Sequence, residues 1–505
     1  MGPRATGGGG LGTPATLATL ATLATLLAAA AAERATPECT VEAGAPVFAD
    51  PLDRVGPGLP DEFGEDDAFP WEDDATIFYG GFRVAYEENY KVLSNGLSVA
   101  PGAPTETVVL YQCGTEPPPV GRFDAYGPTW GGKIAMFSVP LESIAVASTS
   151  LLPFLRILGV EDRIKYYPEY ATAPCVQKLV GCKGADRTMT PSWANATLYA
   201  AQAAEAEAVG ADYADAPNAF SFSSFLEPQL LERAEWVKYL APFFNKEREA
   251  EAFFREQVEA FNATKAAAVA AGPEFLEDRP TVAWVEKRAY YSDEYPEAVV
   301  LSFAPYKWEL TMAANAAILE PSWFSTLEFY NPSFPDLNDT AGVTVTEDKV
   351  EFTLTDANRD DMMDLVHGLL ELADVIVDET YAFDPASYGL ANFTAAFELD
   401  GDPAGFPALA DGAVLRVDGR VTPTGGLDWF ESAPAYPAEL LQDFVHALWG
   451  DQDAPGEPVH VPMWFRNIAA GEEPQVIGPE LCTVPVCAEE YKFICRSWNG
   501  PTCEE

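Results

Sequence analysis

Side chains suited to holding a ligand follow short apolar runs of the sequence, where strands are predicted to end. Three hydroxyls, Ser148, Thr149 and Ser150, follow the first run, and the rings of Tyr167 and Tyr170 close the next. Aromatic rings bury a large flat area, and hydroxyls fix the orientation of a ligand. These residue types predict reversible binding of a small molecule. The competing interpretation of the hydroxyls is that they cap the helix after them.

The second half of the chain repeats this arrangement with charged and aromatic side chains. Arg288 and Tyr381 each follow an apolar run, and Trp429 and Glu431 lie in a later Gly-rich loop. A guanidinium can bind carboxylates or catecholates, and Trp429 is predicted to face a ligand cleft. The competing interpretations are that Trp429 anchors the core and that Glu431 is an acid favoured by a helix N-terminus.

Motifs for catalysis and for direct metal binding are missing from the sequence. It contains no Gly-x-Ser-x-Gly, His-Glu-x-x-His or P-loop motif, and its three histidines are His367, His446 and His460. Nucleophilic catalysis therefore lacks a base near a serine or cysteine motif. We expect no enzyme activity, no catalytic residues, no metal site and no intrinsic cofactor.

Apolar runs that alternate with helical patterns predict two α/β lobes with parallel sheets. In the first lobe, a strand over 143–147 precedes a helix over 151–158 and a strand over 164–167. Three similar runs lie in the second lobe, at 281–285, 373–377 and 413–417. The predicted fold class is α/β, with two Rossmann-like lobes and a ligand cleft between the carboxyl ends of their strands.

A helical segment joins the lobes, and a hairpin precedes the first. Residues 229–271 have the strongest helical periodicity; Pro242 is predicted to divide them, with Asn245 as the N-cap of the second helix. Segments rich in β-branched and aromatic residues, 82–93 and 107–112, predict the hairpin.

The predicted organisation has six parts. In chain order they are a signal peptide (1–32), a disordered lead-in (33–75), a first α/β lobe with its hairpin (76–228), an inter-lobe helical segment (229–271), a second α/β lobe (272–450) and a cysteine-containing extension (451–505). A basic residue, an apolar segment and an Ala-rich exit are typical of a secretory signal. We therefore expect a secreted or periplasmic protein.

The charge excludes two classes of partner. The chain has 505 residues, and 78 acidic against 30 basic residues give a formal net charge of -48. This charge repels phosphate backbones and anionic lipid headgroups, so neither a nucleic acid nor a membrane surface is expected as a partner. A solvated acidic coat is the favoured interpretation, over attraction of a cation. A monomer is expected.

An even number of cysteines predicts disulfides in an exported protein. The eight are Cys39, Cys113, Cys175, Cys182, Cys482, Cys487, Cys495 and Cys503. Cys175 and Cys182 are close enough in sequence to close a local loop, and zinc is disfavoured because no Cys-x-x-Cys pair is present. Four Asn-x-Thr sequons predict glycosylation, at Asn195, Asn262, Asn338 and Asn392.

Three segments in order resemble the helical-backbone class of periplasmic solute-binding proteins, which capture vitamin B12, ferric siderophores or haem for ABC importers. Residues 140–164 are similar to the opening strand, helix and Leu-Gly-x-x-Asp-Arg strand of that class. Residues 231–247 are similar to its inter-lobe helices, and Asp428–Glu431 to its final loop. The resemblance covers residues 135–450.

The resemblance implies a metal chelate, either a ferric siderophore or haem, or else cobalamin, in the inter-lobe cleft. It also implies a membrane permease as partner, docked through Glu431. The chain departs from the class at 192–219, which is Ala-rich, and at 292–347, which is long. A second hypothesis is a secreted structural or cell-surface protein that keeps the fold without a ligand, and a third is an extracellular hydrolase. A filled crevice in which Trp429 is inaccessible would favour the second.

Overall fold

A computed structural model describes most of the chain between residues 77 and 483. The described ranges are 77–87, 89–97, 105–113, 115–123, 134–183, 187–292, 295–320, 337–399, 403–450 and 460–483. The predicted signal peptide, the lead-in, Cys39 and the last three cysteines lie outside them. Among the described residues, no helix has both the length and the apolar character needed to cross a membrane.

The segments predicted as a hairpin form part of a four-stranded sheet. Its strands, in spatial order, are β1 (Phe82–Tyr86), β2 (Tyr90–Asn95), β3 (Glu106–Gln112) and β4 (Ala135–Val139). The first three pair antiparallel, and β4 pairs parallel with β3. The segment predicted as one strand over 82–93 is two strands, because the chain reverses between Glu87 and Tyr90, where a backbone hydrogen bond of 2.9 Å closes the turn.

A five-stranded parallel sheet forms the first lobe. Its strands are β5 (Ile144–Val146), β6 (Ile164–Pro168), β7 (Thr188–Met189), β8 (Ala208–Ala211) and β9 (Ala219–Ser221), in the order β7-β6-β5-β8-β9. The helices between them are α1 (Leu152–Ile157), α2 (Pro174–Lys183) and α3 (Ala196–Ala204). The Ala-rich stretch still supplies a buried strand, β8, because its small side chains lie inside the core.

The inter-lobe segment is divided at Pro242, as predicted. It contains α4 (Leu230–Glu235), α5 (Val237–Leu240) and the long α6 (Glu247–Ala271). Asn245 is not the N-cap of α6: it has a left-handed backbone with φ 53°, and Lys246 precedes the helix. The Asn245 side chain instead accepts a hydrogen bond of 2.7 Å from the buried ammonium of Lys91.

The second lobe has a larger, mixed sheet. Its strands and a flanking pair are β10 (Thr281–Arg288), β11 (Ala298–Ser302), β12 (Ala317–Ile318), β13 (Val343–Val345), β14 (Lys349–Thr353), β15 (Val375–Asp378), β16 (Val414–Arg416), β17 (Arg420–Val421), β18 (Arg466–Asn467) and β19 (Gln475–Val476). The sheet order is β13-β14-β11-β10-β15-β16-β18, with β12 also beside β10, and β17 pairs separately with β19. The helices are α7 (Pro305–Ala313), α8 (Arg359–Leu370), α9 (Leu390–Ala396), α10 (Pro407–Ala410) and α11 (Pro437–Trp449).

The predicted α/β class is confirmed by these sheets. The three apolar runs predicted in the second lobe are β10, β15 and β16, which pair parallel at its centre. They are buried because helices cover a parallel sheet on both faces, which requires continuous apolar strands. The antiparallel strands β11, β13, β14 and β18 extend both sides of this centre.

Candidate functional site

Loops at the carboxyl ends of the two sheets contact each other directly. The backbone N–H of Thr172, in the loop after β6, donates to Glu431 at 2.7 Å, and its hydroxyl donates to Asp428 at 2.7 Å. The backbone N–H of Ala173 donates to the other oxygen of Glu431 at 3.2 Å. All four residues are buried. We call this group, Thr172, Ala173, Asp428 and Glu431, the inter-lobe clasp.

Trp429 is a core residue of the second lobe. Its side chain is only 5% exposed, and its ring centroid lies 5.5 Å from that of Phe465 and 6.3 Å from that of Trp284. The prediction that Trp429 faces an open cleft is therefore wrong. The clasp acids on either side of Trp429 bind the first lobe, while its ring packs into the second.

Glu431 is enclosed by both lobes. It is 4% exposed, and both of its oxygens accept backbone hydrogen bonds. Burial raises the pKa of Glu431 to about 7, and the hydrogen bond from Thr172 partly opposes this rise. A buried carboxylate cannot reach a second protein, so the expectation that Glu431 docks a permease is wrong.

The three hydroxyls after β5 organise the start of a helix. Ser148 is the N-cap of a single helical turn, and its Oγ accepts the N–H of Ser150 at 3.3 Å. The Ser150 hydroxyl donates to Asp212 at 3.1 Å, which ties this loop to the loop after β8. The capping interpretation therefore holds for Ser148. Ligand contact by the half-buried Thr149 and Ser150 stays a prediction.

Two further predicted ligand residues are already engaged within the protein. Tyr167 is buried in the core of the first lobe, where desolvation raises the pKa of its hydroxyl well above the usual range. The half-buried guanidinium of Arg288 is paired with Glu351 at 2.5 Å. Tyr167 therefore has no open ring face, and the charge of Arg288 is already compensated.

Exposed aromatic rings mark the carboxyl ends of both sheets. Tyr170 is 67% exposed and Tyr381 is 74% exposed, each in a loop that follows a parallel strand. Further exposed rings in such loops were missed, among them Tyr213, Phe383, which is 89% exposed, and Phe430. For Tyr213 and Phe383 the signal that could have found them is the same one, a ring that follows a buried strand. We call these five residues the aromatic rim.

The loops that carry the rim touch one another. Gly425, with φ +85°, lies so close to the loop after β15 that a Cβ there would be 3.1 Å from the carbonyl oxygen of Phe383. The loop of Gly425 continues into the clasp, which reaches Thr172 beside Tyr170. Tyr170, Tyr381, Phe383 and Phe430 thus lie on a connected series of loops from the two lobes.

A buried ionic network supports the loop that carries Tyr381 and Phe383. Arg416 at the end of β16 bonds Asp418 at 2.7 Å and the carbonyl of Thr380 at 2.9 Å, and it also pairs with Asp378. These groups are buried, so each charge needs its partner. The loop therefore has a fixed backbone at its base.

The disulfide pattern differs from the expected local loop. Cys175 on α2 pairs with Cys482, 307 residues away, and not with Cys182. Cys113 and Cys182 are also disulfide-bonded. Near this link, Lys178 donates to the carbonyl of Cys482 at 2.7 Å, so the C-terminal extension is tied to the first lobe.

Asn195, Asn262, Asn338 and Asn392 are all exposed, and glycosylation there stays a prediction. Within the described ranges, no three His, Cys, Asp or Glu side chains gather into a group suited to a metal ion.

Comparison with known proteins gives likenesses among solved structures. The chain is similar to a periplasmic haem-binding protein from Pseudomonas aeruginosa, at 15% identity and TM-score 0.38, covering 64% of this chain and 97% of that one. It is similar to a periplasmic haem-binding protein of Vibrio cholerae, at 11% identity and TM-score 0.40, covering 61% and 98%. It is also similar to an ABC-type Fe3+-hydroxamate transport system protein from Saccharomonospora viridis, at 15% identity and TM-score 0.38, covering 62% and 95%.

No protein-family model matches the chain, and no curated protein matches it. At these identities the sheet topology described above carries the fold assignment.

Proposed function

We propose that this protein is an exported solute-binding protein that captures a metal chelate, such as a ferric siderophore or haem, or cobalamin, at the aromatic rim. The observation that supports it most is the exposure of rings such as Tyr170 and Tyr381 in loops after the parallel strands of both lobes. Ligands of open α/β sheets bind at this edge. Flat rings suit a large ligand because each buries much area at little entropic cost.

The proposal includes a membrane permease as partner and export through the signal peptide at 1–32. Since Glu431 is buried, the permease would contact other, exposed residues. The inter-lobe clasp and the Cys175–Cys482 link support a site that is formed before the ligand arrives, which lowers the ordering cost of binding.

Calorimetric titration of Tyr170→Ala and Tyr381→Ala tests the proposal. Haem, cobalamin and a ferric trihydroxamate are titrated into the wild type and into each variant. We expect at least one of these to bind the wild type, and each substitution to weaken that binding by about tenfold through loss of ring contact. Phe275→Ala is the matched control, because Phe275 is exposed at the opposite, amino end of β10.

Two results would count against the proposal. Absence of binding to all three probes at micromolar concentration would remove the chelate function. Equal weakening by Phe275→Ala and Tyr170→Ala would show that the rim is not the site.

A structural or cell-surface protein that has kept the fold without a ligand is the second candidate. The specific observation in its favour is that Trp429 is inaccessible and that the lobes are fastened by the clasp and a disulfide. The same titrations separate the two candidates, since this one requires that no probe binds.

A further inference from the structure

The loops at the carboxyl ends of the parallel strands share an unusual composition. They contain no lysine or arginine at all. The loops are 147–151, 169–173, 190–195, 212–218, 222–229, 379–389 and 422–436. The parallel strand β10 itself ends in Lys287 and Arg288, and these two cations are paired with Glu297 and Glu351. Because these loops carry the aromatic rim, a ligand there would meet rings, hydroxyls and carboxylates but no cationic side chain from the loops.

Acidic residues are adjacent in sequence to three of the exposed rings. Glu169 precedes Tyr170 and Asp212 precedes Tyr213, while Asp384 follows Phe383. Glu169 and Asp384 are exposed, and Asp212 is half-buried. Ring and carboxylate therefore occur as neighbours in three separate loops, two in the first lobe and one in the second.

Three basic residues near these loops are paired with carboxylates of the protein, whereas Arg233 donates to the backbone carbonyl of Glu227 at 2.9 Å. Arg156 on α1 bonds Glu161 at 3.0 Å, and the buried Lys307 on α7 is paired with Glu379. Arg416 is enclosed in its buried network with Asp378. These cations are already neutralised, so they offer little attraction to an anionic ligand.

The chemistry of the rim favours one sign of charge. The face of an aromatic ring attracts an ammonium or other cation, and a nearby carboxylate adds to this attraction. Carboxylate or catecholate groups on a ligand would instead meet like charges, within the field of a chain of net charge -48. At this edge the acidic residues thus favour a cationic ligand, in addition to the solvation that we expect of acidic residues elsewhere on the surface.

Resting on the proposed function, we infer that the solute taken at the aromatic rim is cationic: a chelate or small molecule that presents an ammonium group to the acid–ring neighbours. Anionic chelates, such as haem with its propionates or a ferric tris-catecholate, are the poorest ligands of the class. Binding is reversible and requires no covalent step.

The test compares two chelates that differ by one charge. Ferrioxamine B is a ferric trihydroxamate with a free ammonium group, and its N-acetylated derivative carries a neutral amide there. We expect ferrioxamine B to bind the full-length protein at least about threefold more tightly in calorimetry, since one cation–ring contact at an exposed site supplies that much. Added NaCl should reduce the preference by screening.

Substitutions in the loops that carry the aromatic rim test whether those loops cause the preference for ferrioxamine B. Glu169→Gln and Asp384→Asn should each reduce the ratio of the two affinities, because each weakens binding of ferrioxamine B more than binding of the acetylated chelate. Glu259→Gln, which removes the same charge from an exposed position of α6, is the matched control and should keep the full ratio.

A second pair of probes separates the preference for a cationic ligand from the capture of a chelate. The pair is choline and its uncharged isostere, in which a tert-butyl group replaces the trimethylammonium. Preference for choline with no binding of either chelate supports the charge inference, and the chelate function is removed if haem and cobalamin also fail to bind. Equal or tighter binding of the acetylated chelate overturns the charge inference and keeps the chelate function. No binding of any of the four probes overturns the charge inference, and no binding of haem and cobalamin as well overturns both.

Discussion

The buried carboxylate of Glu431 forms hydrogen bonds within the protein and is not available at the surface. Its oxygens bind the backbone N–H groups of Thr172 and Ala173, and Asp428 binds the Thr172 hydroxyl beside it. These are bonds between residues more than 250 positions apart in the chain, with separations of 256 to 259. Glu431, which lies in a loop of the second lobe, therefore holds the two lobes together through hydrogen bonds.

Titration of Glu431 gives a prediction about stability and pH. Its pKa is about 7 in the folded protein against an ordinary value of 4.5, so the folded state keeps a proton that the unfolded state releases. The free energy of unfolding should therefore fall as pH rises through this window, by up to about 3 kcal/mol from this residue. Urea unfolding of the wild type and Glu431→Gln at about pH 5 and about pH 8 measures the contribution as the difference in their pH dependence.

Glutamine keeps the size of the side chain but does not titrate. At about pH 5 the variant should still be less stable by about 1–3 kcal/mol, because its amide nitrogen would oppose one of the two backbone N–H donors. Identical pH dependence of the two proteins would show that Glu431 does not titrate in this window.

At the scale of elements, the C-terminal extension is joined to both lobes. Strand β18 pairs with β16 in the second sheet, and Cys482 is bonded to α2 of the first lobe. Asp443 on α11 holds the extension between these points: its Oδ2 accepts the N–H groups of Trp464 at 2.7 Å and Phe465 at 3.0 Å. The buried carboxylate of Asp443 thus accepts hydrogen bonds from two backbone N–H groups that lie outside the paired strands.

Asp443→Asn should loosen the extension. The amide would turn a donor toward backbone donors in a buried site, with an expected loss of about 2–4 kcal/mol in the free energy of unfolding. Urea unfolding measures the loss, and limited proteolysis should cleave within residues 460–483 sooner. Asp364→Asn, at an exposed position of α8, should change stability by no more than about 0.5 kcal/mol. Equal stability of the two variants would exclude this role of Asp443.

At the scale of the whole molecule, charge opposes compaction. With a net charge of -48, the folded chain repels itself, and salt screens that repulsion. The Tm should therefore rise by about 2–5 °C between about 0.02 M and about 0.5 M NaCl. KCl at the same ionic strength should give the same rise if screening is the cause. A Tm that falls with salt would show that solvent-accessible ion pairs such as Arg359–Glu398 dominate over net repulsion.

Some features of this protein follow from the sequence by itself. The continuous apolar runs that became β10, β15 and β16 are local signals, because a strand covered on both faces needs apolar residues on both sides. The break at Pro242 is local too, since proline cannot continue a helix hydrogen-bond pattern. The exposed Tyr170 and Tyr381 were found because they follow strand ends.

Only the tertiary structure decided which residues between those elements are buried, which are exposed and which cysteines pair. Trp429 and Phe430 are adjacent rings in one turn, yet the first is buried against Phe465 and the second is exposed. Cys175 joins Cys482 and not the near Cys182, because the extension folds back onto α2. Burial of a loop side chain depends on what packs against it from distant parts of the chain. No local pattern of residues carries that information.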